Sequence, residues 1–468
     1  MSNSIHILSK DENNGVILYR VMVMFTCMFF IMAFAYAIMY ESFDTIVEGF
    51  ITILETPAQC THDAFSISVS SAFFNTGFCA LLIISYIPLF GKVRQVNAST
   101  LAAFFLSVGY GTWGMDIINM LPPMLGIMLV AKLRKKDMTK MVNLGIFSTA
   151  LSPLLTEVML RWPYYTALVD GEVVNTGTTY VTNLPFQPFG VVLAIIIGII
   201  IGIVYPAVNE HASKMHLGYS LFNAGPAAGF LCCILVGLLF RTTNIDIPTN
   251  GPSSGPEVFS FIFISYLTAF IVCFIIGVVI DKNSLKNYIK LLKDSGHGSN
   301  FVDTYGIGAT LINIAVYGIF ILLFYTSAKI FFGASFNGIM AGIIWGAMTW
   351  VAAGAHPLNV LPIGVGYMLI AYVSTHIMPI LGIGNDIGRL GMHSVPILIG
   401  FAYATGMAPL TGHYGFIAGI VAGIIHFSIV TLTPNLYGGF NYYNGGLAAA
   451  IVVFEFVPVL EEHFAKHD

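Results

Sequence analysis

The sequence predicts an all-α, polytopic membrane protein made of two inverted-topology repeats, each with about seven helices, some of them broken or re-entrant. Composition is the first observation: of 468 residues 57% are hydrophobic and 9% are charged, whereas soluble domains carry about 25% charged residues. The second is an internal repeat: NMLPPMLGIML at 119–129 and NVLPIGVGYML at 359–369 are identical at six of eleven positions. The third is that corresponding loops of the two copies carry opposite charges.

Apolar segments predict about fourteen membrane crossings. A crossing helix needs about 20 apolar residues, and the first run, which follows Arg20, has that length and lacks a small-residue cleavage site. It is therefore interpreted as a retained helix, and no signal peptide is predicted. The crossings are expected near 16–40, 64–90, 98–113, 119–131, 141–160, 188–206, 217–241, 258–281, 304–325, 336–353, 360–376, 392–408, 414–432 and 439–458.

Basic residues determine the predicted orientation. Lys and Arg collect in cytoplasmic loops, so the cluster Lys132, Arg134, Lys135, Lys136 and Lys140 is placed inside. Alternating crossings then put both termini in the cytoplasm. The predicted location is the cell membrane, with the lipid bilayer as partner.

Loop charge predicts that the two repeats, 1–240 and 241–468, have opposite orientations. The loop 41–63 carries five acidic residues and no Lys or Arg, whereas its counterpart 281–303 carries Lys282, Lys286, Lys290 and Lys293. One loop is then external and the other internal, which requires an odd number of crossings per repeat and an axis in the membrane plane.

An alternative topology also gives each repeat an odd number of crossings. The segments 98–131 and 336–376 are interrupted at 111–114 and 354–357, so each can instead form a re-entrant hairpin beside ten full crossings. Apolar residues at helical spacing among charges also predict interfacial amphipathic helices at 46–54 and 285–292.

Two ionisable residues mark equivalent breaks in the repeats. Asp116 lies three residues before Asn119, and His356 lies three residues before Asn359. A charge at the bilayer centre costs at least about 2.5 kcal/mol, so each is a functional hypothesis, and broken helices are where transporters bind solutes. All four residues are predicted to bind the solute, and a carboxylate facing an imidazole is predicted to bind a proton near neutral pH. The alternative is a structural hydrogen-bonded pair.

A second acid and a second histidine also occupy equivalent positions in the two repeats. Glu157 and His413 each lie four residues after a proline, in SPLLTE and APLTGH. They are further candidates for proton coupling. The alternative places both at helix ends among the lipid headgroups.

Asparagines next to aromatic residues and glycines form a recurring pattern. Asn223 and Asn444, which match in the two repeats, are predicted to open half-helices whose free N–H groups favour a polar or anionic solute. The alternative is that the neighbouring small residues simply let helices pack closely. Asn75, in FNTG, is interpreted as packing only.

Other classes of function find no support. The sequence has no Walker A loop, no CxxC pair and no HExxH motif, so no metal, cofactor or catalytic residue is predicted. The net charge of −4 gives no reason to expect nucleic acid as a partner. Energy for uphill transport would come from an ion gradient.

With LGYSLFNAGPAAGF at 217–230 and FNYYNGGLAAA at 440–450, the chain resembles an uncharacterised family of bacterial multi-pass membrane proteins, a domain of unknown function in two tandem copies. The resemblance covers most of the chain and implies a multi-pass fold without naming a substrate. The architecture is similar to inverted-repeat transporters of nucleobases and anions, and the Phe-Asn-x-Gly elements are similar to those of urea channels. Both are analogies of architecture.

These observations favour a secondary transporter or facilitator of a small polar solute, with proton coupling as a hypothesis within it. A passive channel for a small neutral molecule or anion is the alternative. An intramembrane enzyme that uses Glu157, His413 or Asp116 is a third and less favoured hypothesis, so the protein is predicted not to be an enzyme. The sequence leaves open whether the protein forms a homo-oligomer.

Overall fold

The structure, a computed structural model, describes residues 10–57, 62–162, 166–169, 172–175, 188–245, 247, 254–385 and 388–464. These residues are almost entirely helical, which confirms the predicted all-α class. A single antiparallel strand pair, Thr166–Val169 (β1) and Glu172–Asn175 (β2), is the exception within the described part of the chain. Ten described helices are long and apolar enough to cross a membrane, as a polytopic membrane protein requires.

Nine α-helices make up the described part of the first half of the chain. The short helices α4 and α5 are separated by a turn, α6 continues into α7 through a 3₁₀ turn at Ser148–Leu151, and α9 ends in a π-helical turn at Gly237–Arg241. The helices are Lys10–Tyr40 (α1), Phe43–Leu54 (α2), Val69–Phe90 (α3), Ala98–Val108 (α4), Ile117–Leu133 (α5), Met138–Phe147 (α6), Ser152–Leu160 (α7), Pro188–His216 (α8) and Ala224–Val236 (α9).

The helices of the second half follow the order of those in the first. A long helix is followed by an amphipathic one, a second long one, a pair of short ones, a broken one and a further long one. A π-helical turn at Val373–Ile377 joins α15 to α16, and a 3₁₀ turn at Thr405–Met407 joins α17 to α18. The helices are Phe259–Ile280 (α10), Ser284–Leu291 (α11), Phe301–Tyr305 (α12), Ile307–Phe332 (α13), Gly338–Ala347 (α14), Pro357–Tyr372 (α15), Met378–Ile380 (α16), Val395–Ala404 (α17), Ala408–Tyr414 (α18), Phe416–Ile429 (α19) and Asn444–Phe464 (α20).

Helices α4 and α5 form a hairpin, called hairpin 1, that begins and ends at the same face of the molecule. The loop before α4 and the start of α6 line one cavity of about 430 Å³, which includes Lys92, Asn97 and Lys140. The same loop contacts the start of α1, where Arg94 pairs with Glu12 at 3.7 Å. This side of the molecule, which also carries Lys132–Lys136, is called the basic face.

Helices α14 and α15 form hairpin 2, which opens at the opposite face. The carbonyl of Phe336, just before α14, accepts a hydrogen bond of 2.9 Å from the N–H of Val258 at the start of α10. The far end of α15 lies beside the end of α13, where the rings of Phe332 and His376 are 6.1 Å apart. Because each hairpin returns to the face where it began, its helices add no net crossing, and the predicted parity is the same whether they re-enter or each cross the membrane.

Small residues let these helices approach each other closely. A Cβ atom added to Gly342 of α14 would lie 2.0 Å from the carbonyl oxygen of Gly109, at the end of α4. A Cβ added to Gly225 of α9 would lie 2.3 Å from the carbonyl carbon of Gly446 in α20. Backbones of the two halves thus touch directly, as is common in membrane bundles.

Candidate functional site

The turn between α4 and α5, residues 109–116, is called tip 1, and Asp116 closes it as the N-cap of α5. One carboxylate oxygen accepts the backbone N–H groups of Ile118 and Asn119 at 2.7 and 2.9 Å, and the other accepts from Asn119 Nδ2 at 2.6 Å. The Asn119 side-chain oxygen accepts the Asp116 N–H at 3.1 Å, which completes a capping box. Asp116 is 2% exposed.

The turn between α14 and α15, residues 348–356, is tip 2, and His356 caps α15 in the same way. Its Nδ1 accepts the Asn359 N–H at 3.4 Å, and the Asn359 side-chain oxygen accepts the His356 N–H at 2.9 Å. With Nδ1 accepting, the ring proton is on Nε2, which lies 2.9 Å from the carbonyl oxygen of Asp294. The imidazole is therefore held neutral between two backbone groups.

The structure brings together Asp116 with Asn119 and His356 with Asn359, but it does not bring the two pairs together. Tip 1 reaches toward the opposite face, where the Thr112 carbonyl accepts from Ala64 N–H at 3.1 Å. Tip 2 reaches toward the basic face, where the Ala352 carbonyl accepts from Phe301 N–H at 3.0 Å. Each tip thus contacts the segments around the mouth of the other hairpin, and no described hydrogen bond or ion pair joins Asp116 to His356.

Two asparagines that the sequence did not single out as functional hold the tips. Asn75 of α3 donates through Nδ2 to the carbonyls of Gly111 and Met115 at 2.8 and 2.6 Å. Asn313 of α13 donates likewise to Val351 and Ala355 at 2.7 and 2.9 Å. Both side chains are fully buried, and the Oδ1 atom of each has no hydrogen-bond partner. The spacing from each asparagine to its tip is similar but not equal, 36 and 40 residues against 38 and 42, and the residues around the two asparagines do not match.

The other two proton-coupling candidates lie in different settings. Glu157 and Arg161 are both fully buried and form an ion pair with two hydrogen bonds, at 2.9 and 2.6 Å. The Glu157 carboxylate therefore has a counter-charge one helical turn away, inside the protein. His413 is exposed at the end of α18, with its ring 5.4 Å from Tyr219 and 6.4 Å from His297.

Asn223 and Asn444 lie where α9 and α20 begin, close to the Gly225–Gly446 contact. Neither side chain caps its helix: Asn223 makes no capping hydrogen bond, and the Asn444 side-chain oxygen accepts from Thr433 at 2.7 Å and from Tyr437. Helices begin at both asparagines as predicted, but both helices are long and apolar enough to cross a membrane and are therefore not half-helices. The Asn444 side chain bonds to the turn that precedes α20.

The unwound segments before α9 and α20 each bond to the broken helix of the other half. The N–H of Leu221 donates to the carbonyl of Gly406, between α17 and α18, at 2.9 Å. The N–H of Tyr442 donates to the carbonyl of Ala150, between α6 and α7, at 3.1 Å. These exchanged bonds use backbone groups that are available because the helices are interrupted there.

Hydroxyl groups gather where these segments meet, and Ser107, Thr149, Tyr205 and Tyr443 are together called the central hydroxyl cluster. The Ser107 and Thr149 hydroxyls are 3.2 Å apart, and that of Tyr443 lies beside them without a well-aligned hydrogen bond. Tyr205 of α8 is close enough to Tyr443 for their hydroxyls to interact, yet its own hydroxyl has no hydrogen-bond partner. All four residues are fully buried, and none carries a charge.

Residues 42–175, 173–241 and 280–462 match the family model described as "Protein of unknown function (DUF1576)". The chain belongs to this family. The three matches cover most of the chain and both halves of the DUF1576 fold. No curated protein matches the sequence, and no solved structure matches the fold.

One loop of this DUF1576 protein, residues 293–299, packs against tip 2 at the basic face. A Cβ added to Gly296, whose φ is +85°, would lie 2.3 Å from the Gly354 carbonyl oxygen, and His297 Nε2 lies 3.0 Å from the carbonyl oxygen of Leu217. Burial raises the pKa of Asp294, but hydrogen bonds from Ser299, the Gly296 N–H and Tyr305 outweigh it and lower the pKa below its usual value. Asp294 is therefore an ionised anchor of this loop at neutral pH.

Proposed function

We propose that the protein is a secondary transporter or facilitator of a small polar solute, built from two inverted repeats, 1–240 and 241–468. The observation that carries the proposal is the central hydroxyl cluster, a buried polar site where the broken helix of the first half meets the unwound segment before α20 of the second half. Inverted-repeat transporters bind their solutes at such breaks, near the interface of the repeats. The opposite directions of the two hairpins support the inverted relationship.

Unpaired polar atoms support a ligand at this site. Buried polar groups nearly always have a hydrogen-bond partner, so those without one call for an unseen water or ligand. The Tyr205 and Tyr443 hydroxyls lack a partner, as does Nδ2 of Asn441, which lies on the same unwound segment as Tyr443. A solute with two or three polar atoms would satisfy them.

The chemistry of the site favours a solute with oxygen acceptors. The amide of Asn441 and the two tyrosine hydroxyls can all donate hydrogen bonds. The starts of α9 and α20 also meet nearby, and helix N-termini favour negative or partly negative groups. We therefore propose a neutral or anionic molecule that carries carbonyl, carboxylate or hydroxyl oxygens.

Proton coupling through Asp116 and His356 stays a prediction. The geometry favours separate roles, since each side chain caps its own helix and the two lie toward different faces. Asp116, Asn119, His356 and Asn359 then act on the solute through the hairpins that they stabilise, and Asn223 and Asn444 act through the unwound segments. Glu157 with Arg161 is better suited to stability than to proton transfer, and His413 lies at the basic face.

A transport assay tests the proposal. A panel of small metabolites is first screened for thermal stabilisation of the purified protein, and each hit is then assayed for uptake into proteoliposomes. Tyr443→Phe removes one unpaired hydroxyl, so we expect the solute concentration for half-maximal uptake to rise about tenfold, the equivalent of about 1.4 kcal/mol. Tyr86→Phe is the matched control, because the Tyr86 hydroxyl donates to the Met124 carbonyl, outside this cluster.

Three outcomes would contradict transport through this site. Flux that never saturates would favour the passive channel. Unchanged uptake in both Tyr443→Phe and Tyr205→Phe would place the solute elsewhere. A chemically altered solute in the proteoliposomes would favour the enzyme.

A further inference from the structure

We propose that tip 1 binds one Na⁺ ion between Asp116 and Asn75, and that this ion is the one whose gradient drives the transport. The role in transport rests on the proposed function. The binding site itself does not.

The first observation is a buried carboxylate without a counter-charge. Asp116 is 2% exposed, and its partners are two backbone N–H groups and the neutral amide of Asn119. None of the ion pairs within the described residues includes it. A carboxyl group buried inside a membrane either takes up a proton or pairs with a cation, so the site can accept a cation in exchange for a proton.

The second observation is a buried oxygen that lacks a partner at the same tip. Asn75 is fully buried, and its Nδ2 donates to Gly111 and Met115, which fixes the amide orientation and leaves Oδ1 as the unpaired atom. Met115 directly precedes Asp116. Cys79, one turn after Asn75, lies 3.7 Å from the Met115 carbonyl and close enough to Asp116 for an electrostatic interaction.

These groups suit Na⁺ in number and kind. Hard cations bind oxygen ligands, and unwound carbonyls near the C-terminal end of a half-helix coordinate Na⁺ in transporters with broken helices. Tip 1 offers a carboxylate, an amide oxygen and turn carbonyls just after the end of α4. One carboxylate balances one monovalent ion, and among the described residues no group of three His, Cys, Asp or Glu is placed to hold a metal.

Tip 2 provides a comparison within the same molecule. Asn313 donates two hydrogen bonds to carbonyls of tip 2, as Asn75 does at tip 1. The Oδ1 atom of Asn313 also lacks a hydrogen-bond partner. The capping residue, however, is His356, whose two ring nitrogens are engaged by the Asn359 N–H and the Asp294 carbonyl. Tip 2 therefore has the amide oxygen without the negative charge, and we expect Na⁺ at tip 1 alone.

Na⁺ binding is measured on the purified full-length protein without any solute. The melting temperature and the binding of radioactive sodium are followed in NaCl, KCl and choline chloride, at constant ionic strength and neutral pH. We expect Na⁺ alone to raise the melting temperature in a saturable way. Asp116→Asn and Asn75→Ala are expected to lose this shift and the bound sodium, whereas the matched control Asn313→Ala is expected to keep both.

Asp116→Asn is expected to fold, because Asn is as good an N-cap as Asp. An equal shift in K⁺ or choline, a shift that persists in Asp116→Asn, or one that follows pH without Na⁺ would overturn the proposal. So would loss of the shift in Asn313→Ala. If sodium does not bind but the solute is taken up, only this inference is wrong. Sodium binding without any solute uptake would instead contradict the proposed function.

Discussion

At the residue scale, the two hairpin tips have the same hydrogen bonds around different side chains. Asp116 with Asn119 and His356 with Asn359 both form capping boxes, and an asparagine from a neighbouring helix holds each turn. An acid in one tip and an imidazole in the other leave the backbone alike. The exchange therefore changes the charge of the tip, and with it the ligand that the tip can hold.

The buried pair of Glu157 and Arg161 gives a prediction about stability at this scale. Arg161→Met removes the counter-charge of a fully buried carboxylate, so we expect it to lower the free energy of unfolding by about 3–5 kcal/mol. The double variant Glu157→Leu with Arg161→Met is expected to be more stable than Arg161→Met alone. Thermal unfolding in detergent measures both. Equal stability of the single and double variants would show that the charge pairing is not what matters.

Residue patterns predicted part of the site. The echo of NMLPP in NVLPI correctly marked Asp116, Asn119, His356 and Asn359 as equivalent positions, because they lie inside the repeated motif. Asn75 was interpreted as packing only, because its role depends on contacts with a turn that lies 36 to 40 residues further along the chain. Tyr205, Tyr443 and Ser107 come together only through tertiary packing.

At the element scale, backbone contact between glycines holds α9 and α20 together beside the central hydroxyl cluster. The N-terminal ends of both helices can approach because Gly225 and Gly446 have no side chains. A side chain here would push apart the two unwound segments that carry Phe222 and Tyr443. The position of the proposed solute site thus depends on residues that carry no polar group.

This contact predicts a sharp difference between two glycines of one segment. Gly225→Ala would place a Cβ 2.3 Å from backbone of α20, so we expect a lower melting temperature and loss of uptake. Gly237→Ala is the matched control, since nothing lies within 4 Å of its Cβ. We expect the control to retain the melting temperature and uptake, because Ala is favoured over Gly within helices. Equal effects of the two substitutions would argue against close packing as the cause.

At the scale of the whole molecule, the hairpins determine the topology. The basic and acidic loops predicted opposite orientations for the halves, and the interruptions at 111–114 and 354–357 predicted where the hairpins turn. Hydropathy could not distinguish a hairpin from two crossings, because a short apolar helix has the same composition in either arrangement. The contacts at the mouths of the hairpins place the two ends of each hairpin at one face, and this holds in either arrangement.

Single cysteines test this topology in intact cells. Lys92→Cys and Lys136→Cys flank hairpin 1, and Ser335→Cys and Ile380→Cys flank hairpin 2. In a background without native cysteines, we expect a membrane-impermeant thiol reagent to label one pair from outside and the other only after the membrane is opened. Labelling of the two flanks of one hairpin from different sides would show that the hairpin contains an odd number of crossings and would contradict this arrangement.

The contact of each tip with segments at the mouth of the other hairpin has a mechanical consequence. Thr112 of tip 1 donates to the carbonyl of Gly338, at the start of hairpin 2, at 2.6 Å. We expect a displacement of hairpin 2 to strain this bond and so to disturb the tip of hairpin 1. At the basic face, the bond between Phe301 and the Ala352 carbonyl links tip 2 to the segment beside hairpin 1 in the same way. The two hairpins are thus joined by hydrogen bonds at both faces, so we expect a displacement of one hairpin to disturb the other. With such a linkage, a single displacement would alter the packing at both surfaces of the membrane without a separate hinge between them.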